Sequence, residues 1–498
     1  MKRPQYPALL AALLFSGTAF TALAQDETDV LRYSLMTPQG TARSMGFGSA
    51  LGSVGGDFTS LSVNPAGIGV YRSSEIMFTP SLKFNSVDGT YLGNLNDDNA
   101  ARFNFNNFGA VFSRVERGRR YEKANWKTVS FGIGVNRVAD FNRNYTYGGL
   151  MQGSGDQYSS FAEVFSNAAN ANPNSIDQAG SLAYLGYQSY LVNPDANNFF
   201  YPITNWETGL NQLRSVEERG GINEMVLSLG GNYMEKLMVG ATLGIPIIRY
   251  TREAYFEEQD ATDDLTNDFS SFNYKTSLTT RGSGFNLKAG AIYRVSDAFR
   301  LGAAVHTPSW IALNEEFNES LVVNFDDGGQ ERIANPENRF DYNIKTPWRT
   351  VVSATGLFGT YGFITLDYEY VWYDKMRIRY PNEYASGEQV VNNIIKTNFQ
   401  GASNFRLGGE ARLDNIFFRA GVGYYGNPYQ SDDFDMSRMD LSLGLGYRTG
   451  GFFMDLGFVH SRFEQTEVPY VLPDPVITPA TKLENQLNNL ALTFGWKF

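Results

Sequence analysis

The sequence contains no cysteine, so no disulfide framework can hold this fold together. It also contains only two histidines, His306 and His460, which are too far apart in sequence to form a local catalytic or metal-binding motif. No G-x-S-x-G or His-Glu-x-x-His pattern is present. We therefore predict a protein that is not an enzyme and that has no catalytic residue, no metal site and no cofactor.

Positive charge is also scarce. The chain has 41 Lys and Arg against 52 Asp and Glu, which gives a formal net charge of -11. A nucleic-acid partner would require a basic face, so this balance argues against one.

Long apolar runs are missing after the first residues. Lys2 and Arg3 precede an apolar stretch from Ala8 to Phe20, and Ala22-Leu23-Ala24 has the small-x-small pattern of a secretory cleavage site. Residues 1-24 are therefore predicted to be a signal peptide. No later run approaches the 18 apolar residues of a spanning helix. Export without a helical anchor leaves a soluble envelope protein or an outer-membrane barrel.

Glycine and aromatic residues are abundant, with 50 Gly, 37 Phe and 29 Tyr. From residue 73 onward, about fourteen segments alternate with period two between turn-forming clusters, which predicts antiparallel strands. In the sense typical of a membrane barrel, apolar residues occupy one face and small or polar residues the other. Two segments show this clearly: Met439, Leu441, Leu443, Leu445 and Tyr447 in one, and Ile364, Leu366, Tyr368 and Tyr370 in the other.

The predicted connections alternate between long and very short, as in outer-membrane barrels with external loops and periplasmic turns. The predicted long connections include residues 88-102, and the longest loop is 146-220. An even number of strands then places both termini in the periplasm. We predict an all-β fold: a transmembrane antiparallel barrel of about fourteen strands over residues 73-498, in the outer membrane of a Gram-negative bacterium.

The last segment is strongly amphipathic and ends on an aromatic residue. Phe494, Trp496 and Phe498 share its apolar face. This pattern is typical of the C-terminal strand through which the barrel assembly machinery recognises outer-membrane proteins, so we expect that machinery as a partner.

The segment before the strands, residues 25-72, is rich in glycine and cannot fold by itself. A fourteen-stranded barrel has a lumen that must be filled or will leak, and this segment has a suitable length. We predict a hatch that plugs the lumen through the packing of Met45, Phe47, Phe58 and Leu61. Its last turn is Asn64-Pro65-Ala66-Gly67, where Pro65 fixes φ and Gly67 permits a reversal.

These features together resemble the FadL family of outer-membrane transporters for long-chain fatty acids and other hydrophobic compounds, including the hydrocarbon and toluene transporters. The match extends from Ala42 to Lys83, through ARSMGFGSALG, GGDFTSLSVNPAG and SEIMFTPSLK. The resemblance implies a movable hatch and passage of ligand from an extracellular apolar site out sideways through the wall. It does not carry over ligand contacts, because the 146-220 loop is an elaboration.

One irregularity is compatible with a lateral exit. The third strand alternates regularly to Val135 and then changes phase at Arg137, Val138, Ala139 and Asp140. Such a slip is typical of a bulge, and we interpret it as the site of a lateral opening. The simpler alternative is that the strand has already left the membrane.

We therefore expect passive uptake of a hydrophobic small molecule such as a fatty acid, in contact with outer-membrane lipid and lipopolysaccharide. A barrel that binds and shuttles secreted proteins is the alternative. A lipid-modifying enzyme that uses His460 at the barrel rim is a remote one.

Overall fold

The computed structural model describes residues 27-153, 159-262, 268-473, 476 and 478-498. The predicted signal peptide lies outside the described residues. Among the described residues, no helix is both long and apolar enough to cross a bilayer.

Fourteen antiparallel strands form a closed barrel, in which the first strand pairs with the last from Glu75↔Lys497 onward. The fold class predicted from the sequence is confirmed. The strands are β1 Glu75–Tyr91, β2 Asn94–Val115, β3 Trp126–Asp140 and Arg143–Met151, β4 Leu210–Tyr233, β5 Leu237–Asp260, β6 Ser271–Ser296, β7 Phe299–His306 and Trp310–Asn324, β8 Gln330–Ala334, Asn338–Lys345 and Arg349–Leu357, β9 Gly362–Trp372 and Arg377–Arg379, β10 Gly401–Leu413, β11 Ile416–Tyr425, β12 Arg438–Thr449, β13 Phe452–Glu467 and β14 Thr481–Lys497.

Seven helices accompany the barrel within the described ranges. Three precede it and four lie in connections between strands. They are α1 Glu27–Ser34, α2 Ala42–Gly46, α3 Ser60–Val63, α4 Arg119–Lys123, α5 Ala162–Ala171, α6 Leu182–Gln188 and α7 Ala385–Asn398. Short 3-10 helices complete the described structure, the first of them at Pro65–Val70.

The burial pattern is the reverse of that of a soluble protein. On β12, Leu443 is 62% exposed, whereas on the neighbouring β13 the carboxylate of Asp455 is fully buried. The same inversion occurs on β9, between Ile364 at 53% and Asp367 at 0%. Apolar side chains face outward because they contact lipid, and charged side chains face the lumen.

One predicted loop is not a loop. Residues 88-102 were expected to form a long connection, but β1 and β2 continue through them to a two-residue turn at Leu92 and Gly93. Both turn residues have positive φ, 47° and 82°, as a tight hairpin turn requires. The prediction was wrong because residues Asn94 to Asn99 are mostly polar. They belong to a strand that extends beyond the apolar band.

The C-terminal residues lie on the outward face of the wall. Phe494 stacks on Phe78 of β1 with ring centroids 5.3 Å apart. Trp496 and Phe498 are both exposed, and the backbone of Phe498 bonds with that of Ser74 in both directions. Their recognition by an assembly machinery stays a prediction.

Candidate functional site

The N-terminal segment, residues 27-72, packs against the inner face of the barrel around much of its circumference. Helix α2 contacts β11, β12, β13 and β14, whereas the 3-10 helix Pro65–Val70 contacts β3, β4, β5 and β6 on the other side. An ion pair also holds the segment to the wall, since Arg43 Nε lies 3.0 Å from a carboxylate oxygen of Glu410 on β10. The segment therefore contacts the wall on two opposite sides of the barrel.

The four side chains predicted to pack this segment are all buried. Phe47 meets the ring of Phe363 edge-on at 5.4 Å, and Met45 belongs to a small cluster with Ala491 of β14. Phe58 and Leu61 share a cluster with Val111 of β2. Each residue thus contacts the wall and not only its own segment.

Glycines in the wall allow the segment to approach at backbone distance. A Cβ added at Gly240 of β5 would lie 2.2 Å from the carbonyl oxygen of Pro65, and one at Gly408 of β10 would lie 2.0 Å from that of Phe47. Comparable backbone contacts occur at Gly302, Gly421 and Gly457. These five positions, on five different strands, form the glycine ring, against which a side chain of any size would collide with the segment.

Asn64 organises the last turn of the segment. Its side-chain Oδ1 accepts from the N–H of Ala66 at 3.1 Å and so caps the 3-10 helix, in which Pro65 takes a favoured first position. Its Nδ2 donates to the carbonyl of Gly52 at 2.6 Å. The predicted turn residues Asn64, Pro65, Ala66 and Gly67 are all buried against the wall.

Replacing this cap should loosen the segment but leave the barrel intact. Asn64→Ala removes the helix cap, which is typically worth about 1 kcal/mol, and leaves the Gly52 carbonyl without its closest donor. We expect faster limited proteolysis within residues 27-72 and an unchanged heat-induced unfolding of the barrel. Asn99→Ala, at an exposed position on β2, is the control and should change neither. Equal protease resistance of the two variants would contradict a role for Asn64 in holding the turn.

The third strand is bulged at the predicted irregularity. Arg137 pairs with Asn223 of β4 and Ala139 with Ile222, so Val138 is the extra residue. Among the described residues, the ladder between β2 and β3 ends at Asn107↔Asn136. Above it, β3 turns inward, and the side chains of Arg137, Val138, Ala139 and Asp140 are all buried. We call the unpaired stretch between β2 residues 99-106 and β3 residues 137-145 the wall gap.

Side chains bridge the wall gap where the backbone ladder does not. At its upper end, Gly148 N–H donates to Asn96 Oδ1 at 3.1 Å. Lys83 of β1 forms a buried ion pair with Asp140 at 2.8 Å, and Arg102 of β2 reaches Glu217 of β4 at 2.6 Å. The gap is thus closed by ion pairs, which can exchange partners without breaking a sheet.

The N-terminal segment bonds directly to the bulge. The N–H of Thr37 donates to the carbonyl of Val138 at 2.7 Å, and the N–H of Gln39 donates to that of Arg137 at 2.9 Å. Lys83 Nζ also donates to Gln39 Oε1. A displacement of residues 37-39 would therefore remove contacts from both the bulge and the ion pair that spans the gap.

Beside the bulge, the upper lumen holds a large apolar cluster, with the buried carboxylates of Asp29 and Glu218 at its edge. Val30, Leu31 and Tyr33 of α1 pack there with Val138 and Ile222, and with side chains of β5 to β9. Burial raises the pKa of Tyr33, so its phenol stays neutral. Helix α7 closes one side of this cluster through Val391 and Ile395. The apolar lumen is therefore occupied by α1.

Above this level, part of the 146-220 loop covers the end of the barrel that lies away from Glu75 and Lys497. Phe161 and Phe165, at the start of α5 and within it, pack on Phe256, Phe272 and Tyr470 in a second apolar cluster. Glu258 of β5 anchors this roof, because its carboxylate accepts from the N–H of Phe161 at 2.7 Å and also from Ser160.

Below α1, the lumen is polar and charged. Arg406 pairs with Glu369 at 3.2 Å, and Lys288 pairs with Glu224 beside Ser62 of the segment. Further down, Arg419 pairs with Asp455 at 2.8 Å. A cavity of about 40 Å³ lies among Ser62, Glu224, Lys288 and other polar residues, which is room for roughly a single water molecule. We call these paired charges the polar lumen.

Fold and site together define a membrane-spanning β-barrel with its N-terminal segment packed against the inner face of the wall. No protein-family model matches the chain, and no curated protein is significantly similar in sequence. Solved structures do match. A FadL homologue from Pseudomonas aeruginosa gives a TM-score of 0.54 at 13% identity, over 93% of this chain and 100% of that one. The P. putida toluene transporter TodX gives 0.52 at 11%, over 92% and 98%. Its deltaS2 mutant, a monoaromatic hydrocarbon channel, gives 0.54 at 12%, also over 92% and 98%. The chain has the fold of the FadL-type outer-membrane transporters, which confirms the predicted resemblance.

Several site residues were not predicted from the sequence. Lys83, Glu217 and Glu410 lie within alternating strands, and nothing local distinguishes them from the other charged residues of those strands. Wall glycines such as Gly240 could have been recognised, because an isolated glycine within a strand often marks close approach of another backbone.

Proposed function

We propose that this protein sits in the outer membrane, with both termini in the periplasm, and carries hydrophobic small molecules inward passively. The ligand enters the apolar upper lumen from the extracellular side, displaces α1 and leaves through the wall gap into the bilayer. Long-chain fatty acids and monoaromatic hydrocarbons are the candidate ligands. The similar structures, which include a toluene transporter and a monoaromatic hydrocarbon channel, support this class.

The observation that carries the proposal is the position of the wall gap. It opens at the level where α1 packs on Val138 in an apolar lumen. Immediately below, the polar lumen and the N-terminal segment would force an apolar ligand to displace paired buried charges, which is costly. A sideways exit instead crosses the wall gap, where the pairs Lys83–Asp140 and Arg102–Glu217 would have to open. Residues Arg137, Val138, Ala139 and Asp140 then form the inner edge of the exit.

Removing the bulge tests the route. Deletion of Val138 brings Arg137 and Ala139 into consecutive register with Asn223 and Ile222, which straightens β3 and should allow it to pair with β2 through the gap. We expect uptake of radiolabelled long-chain fatty acid and of toluene to fall to the level of cells without the protein.

Val138→Ala is the matched control, because it keeps the extra residue and therefore the bulge. It should retain most of the uptake. Heat stability of the barrel has to be similar in both variants for the comparison to hold. Full uptake by the deletion variant would exclude the wall gap as the exit, and no uptake by the wild-type protein would reject the transport function itself.

A further inference from the structure

The outer face of β5 and β6 presents two arginines directly opposite each other. Arg249 pairs in register with Arg281, and both side chains are exposed on the outward face. Like charges in this arrangement repel each other. In the part of the chain that the structure describes, neither guanidinium has an ion-pair or hydrogen-bond partner, although other exposed arginines such as Arg219 and Arg339 are paired with glutamates.

The outward neighbours do not compensate these charges. Along the two strands they are Ile247, Thr251, Thr279 and Ser283, and across the strands they are Gly221 and Asn314. None of these side chains carries a charge. The nearest outward carboxylates on the Arg281 side, Glu316 and Asp341, have Arg339 and Asn314 as partners. The pair is therefore a local concentration of positive charge whose geometry suits an anion with several acceptor oxygens, such as a phosphate.

An apolar groove lies below the arginines on the same two strands. In one row across the wall, Ala241 and Ala289 stand between the larger Leu229 and Val305. This leaves a groove of about 590 Å³ that is also lined by Leu243 and Leu287. Its floor consists of small residues and its sides of large ones, which is a shape that accommodates an extended hydrocarbon chain.

The spacing between groove and arginines matches one leaflet of a membrane. Arg249 lies six positions after Leu243, which corresponds to about 20 Å along a strand. With a strand tilt of about 45°, this corresponds to about 14 Å along the membrane normal, or half of the hydrocarbon thickness. From Arg249 upward the outward residues of β5 are mainly polar. The arginines thus lie just above the apolar band on the extracellular side.

We infer that this surface binds one molecule of lipopolysaccharide, with a phosphate of its acylated glycolipid held between Arg249 and Arg281 and an acyl chain in the Ala241/Ala289 groove. The inference rests on the proposed outer-membrane location but not on transport. Lipopolysaccharide is the phosphorylated, multiply acylated lipid that the outer leaflet supplies at this height. A phospholipid would use the same contacts, so the experiment has to separate the two.

Native mass spectrometry of the detergent-purified protein measures this binding. Deep-rough lipopolysaccharide is the probe, and the same lipid after enzymatic dephosphorylation and phosphatidylglycerol are the comparisons. We expect retention of the phosphorylated lipopolysaccharide and loss of that complex in the double variant Arg249→Gln/Arg281→Gln. Ala241→Phe/Ala289→Phe, which fills the groove and keeps both arginines, should weaken the same complex.

Arg219→Gln/Arg339→Gln is the matched control, since it removes two exposed arginines that already have carboxylate partners. It should bind lipopolysaccharide like the wild type. Equal binding of the dephosphorylated lipid, equal binding of phosphatidylglycerol or unchanged binding by the Arg249/Arg281 variant would each overturn the inference. Uptake should be unaltered in the Arg249→Gln/Arg281→Gln variant, so a failure here is distinguishable from a failure of the transport proposal.

Discussion

Tethering the N-terminal segment to the wall should abolish uptake reversibly. Ser53 Oγ in the segment lies 2.7 Å from Ser353 Oγ on β8, and both side chains are buried. Because the chain has no cysteine, Ser53→Cys/Ser353→Cys introduces a single disulfide at a distance that such a bond can span. If the segment moves as a gate, fatty-acid uptake in the oxidised state should fall to that of cells without the protein, and reductant should restore it.

The matched control is a disulfide that does not involve the segment. Ser113 Oγ and Ser130 Oγ lie 2.8 Å apart on β2 and β3, below the wall gap, in a part of the sheet that is already paired. Oxidation of Ser113→Cys/Ser130→Cys should leave uptake unchanged. The reduced form of each variant controls for the loss of the serine hydroxyls. Full uptake by the oxidised Ser53/Ser353 variant would mean that the segment seals the lumen without moving as a body.

A moving segment has consequences for the polar lumen. Ser62 accepts from Asn136 Nδ2 and donates to Glu224, and His306 Nε2 lies 2.7 Å from the carbonyl of Val63. Withdrawal of α3 would leave these buried groups without partners, which is costly unless water replaces them. Residues 34-39 are also tied to charged side chains of the wall. Arg349 contacts the backbone of Ser34 and Met36, Arg438 donates to Thr37 Oγ1, and Lys83 donates to Gln39 Oε1. Opening of either part of the segment therefore requires water or ligand groups to replace these partners.

The strands of the wall could be predicted from the sequence because each strand has its own alternation of apolar and polar residues. The alternation in β9 and β12 is set by lipid on one side and the lumen on the other, and this constraint acts residue by residue. The bulge at Val138 was visible for the same reason, as a break in that pattern. The loss of pairing with β2 could not be predicted, because a break in the pattern of one strand does not reveal which of its two neighbouring strands loses its pairing.

The interior could not be predicted in the same way. The pairing of Lys83 with Asp140 joins residues 57 positions apart. The pairing of Arg43 with Glu410 joins the N-terminal segment to β10, which is much later in the sequence. Such contacts depend on the register of every intervening strand. The sequence indicated that residues 25-72 need a surrounding wall. It also indicated that Asn64 to Gly67 form the last turn of this segment. Which wall positions receive them is a property of the closed barrel.

The glycine ring gives the strongest expected effect on leakage. In Gly240→Ala, the new methyl group would lie 2.2 Å from the carbonyl oxygen of Pro65, and the obstructing atom is backbone that cannot rotate away. The 3-10 helix Pro65–Val70 must therefore lift from β5, which should open the lumen to hydrophilic solutes. We expect higher single-channel conductance in planar bilayers and greater sensitivity of cells to large polar antibiotics, with unchanged heat stability of the barrel. Gly356→Ala on β8 is the control, because no atom lies within 4 Å of its added Cβ. Wild-type conductance in Gly240→Ala would show that the close backbone contact does not maintain the seal.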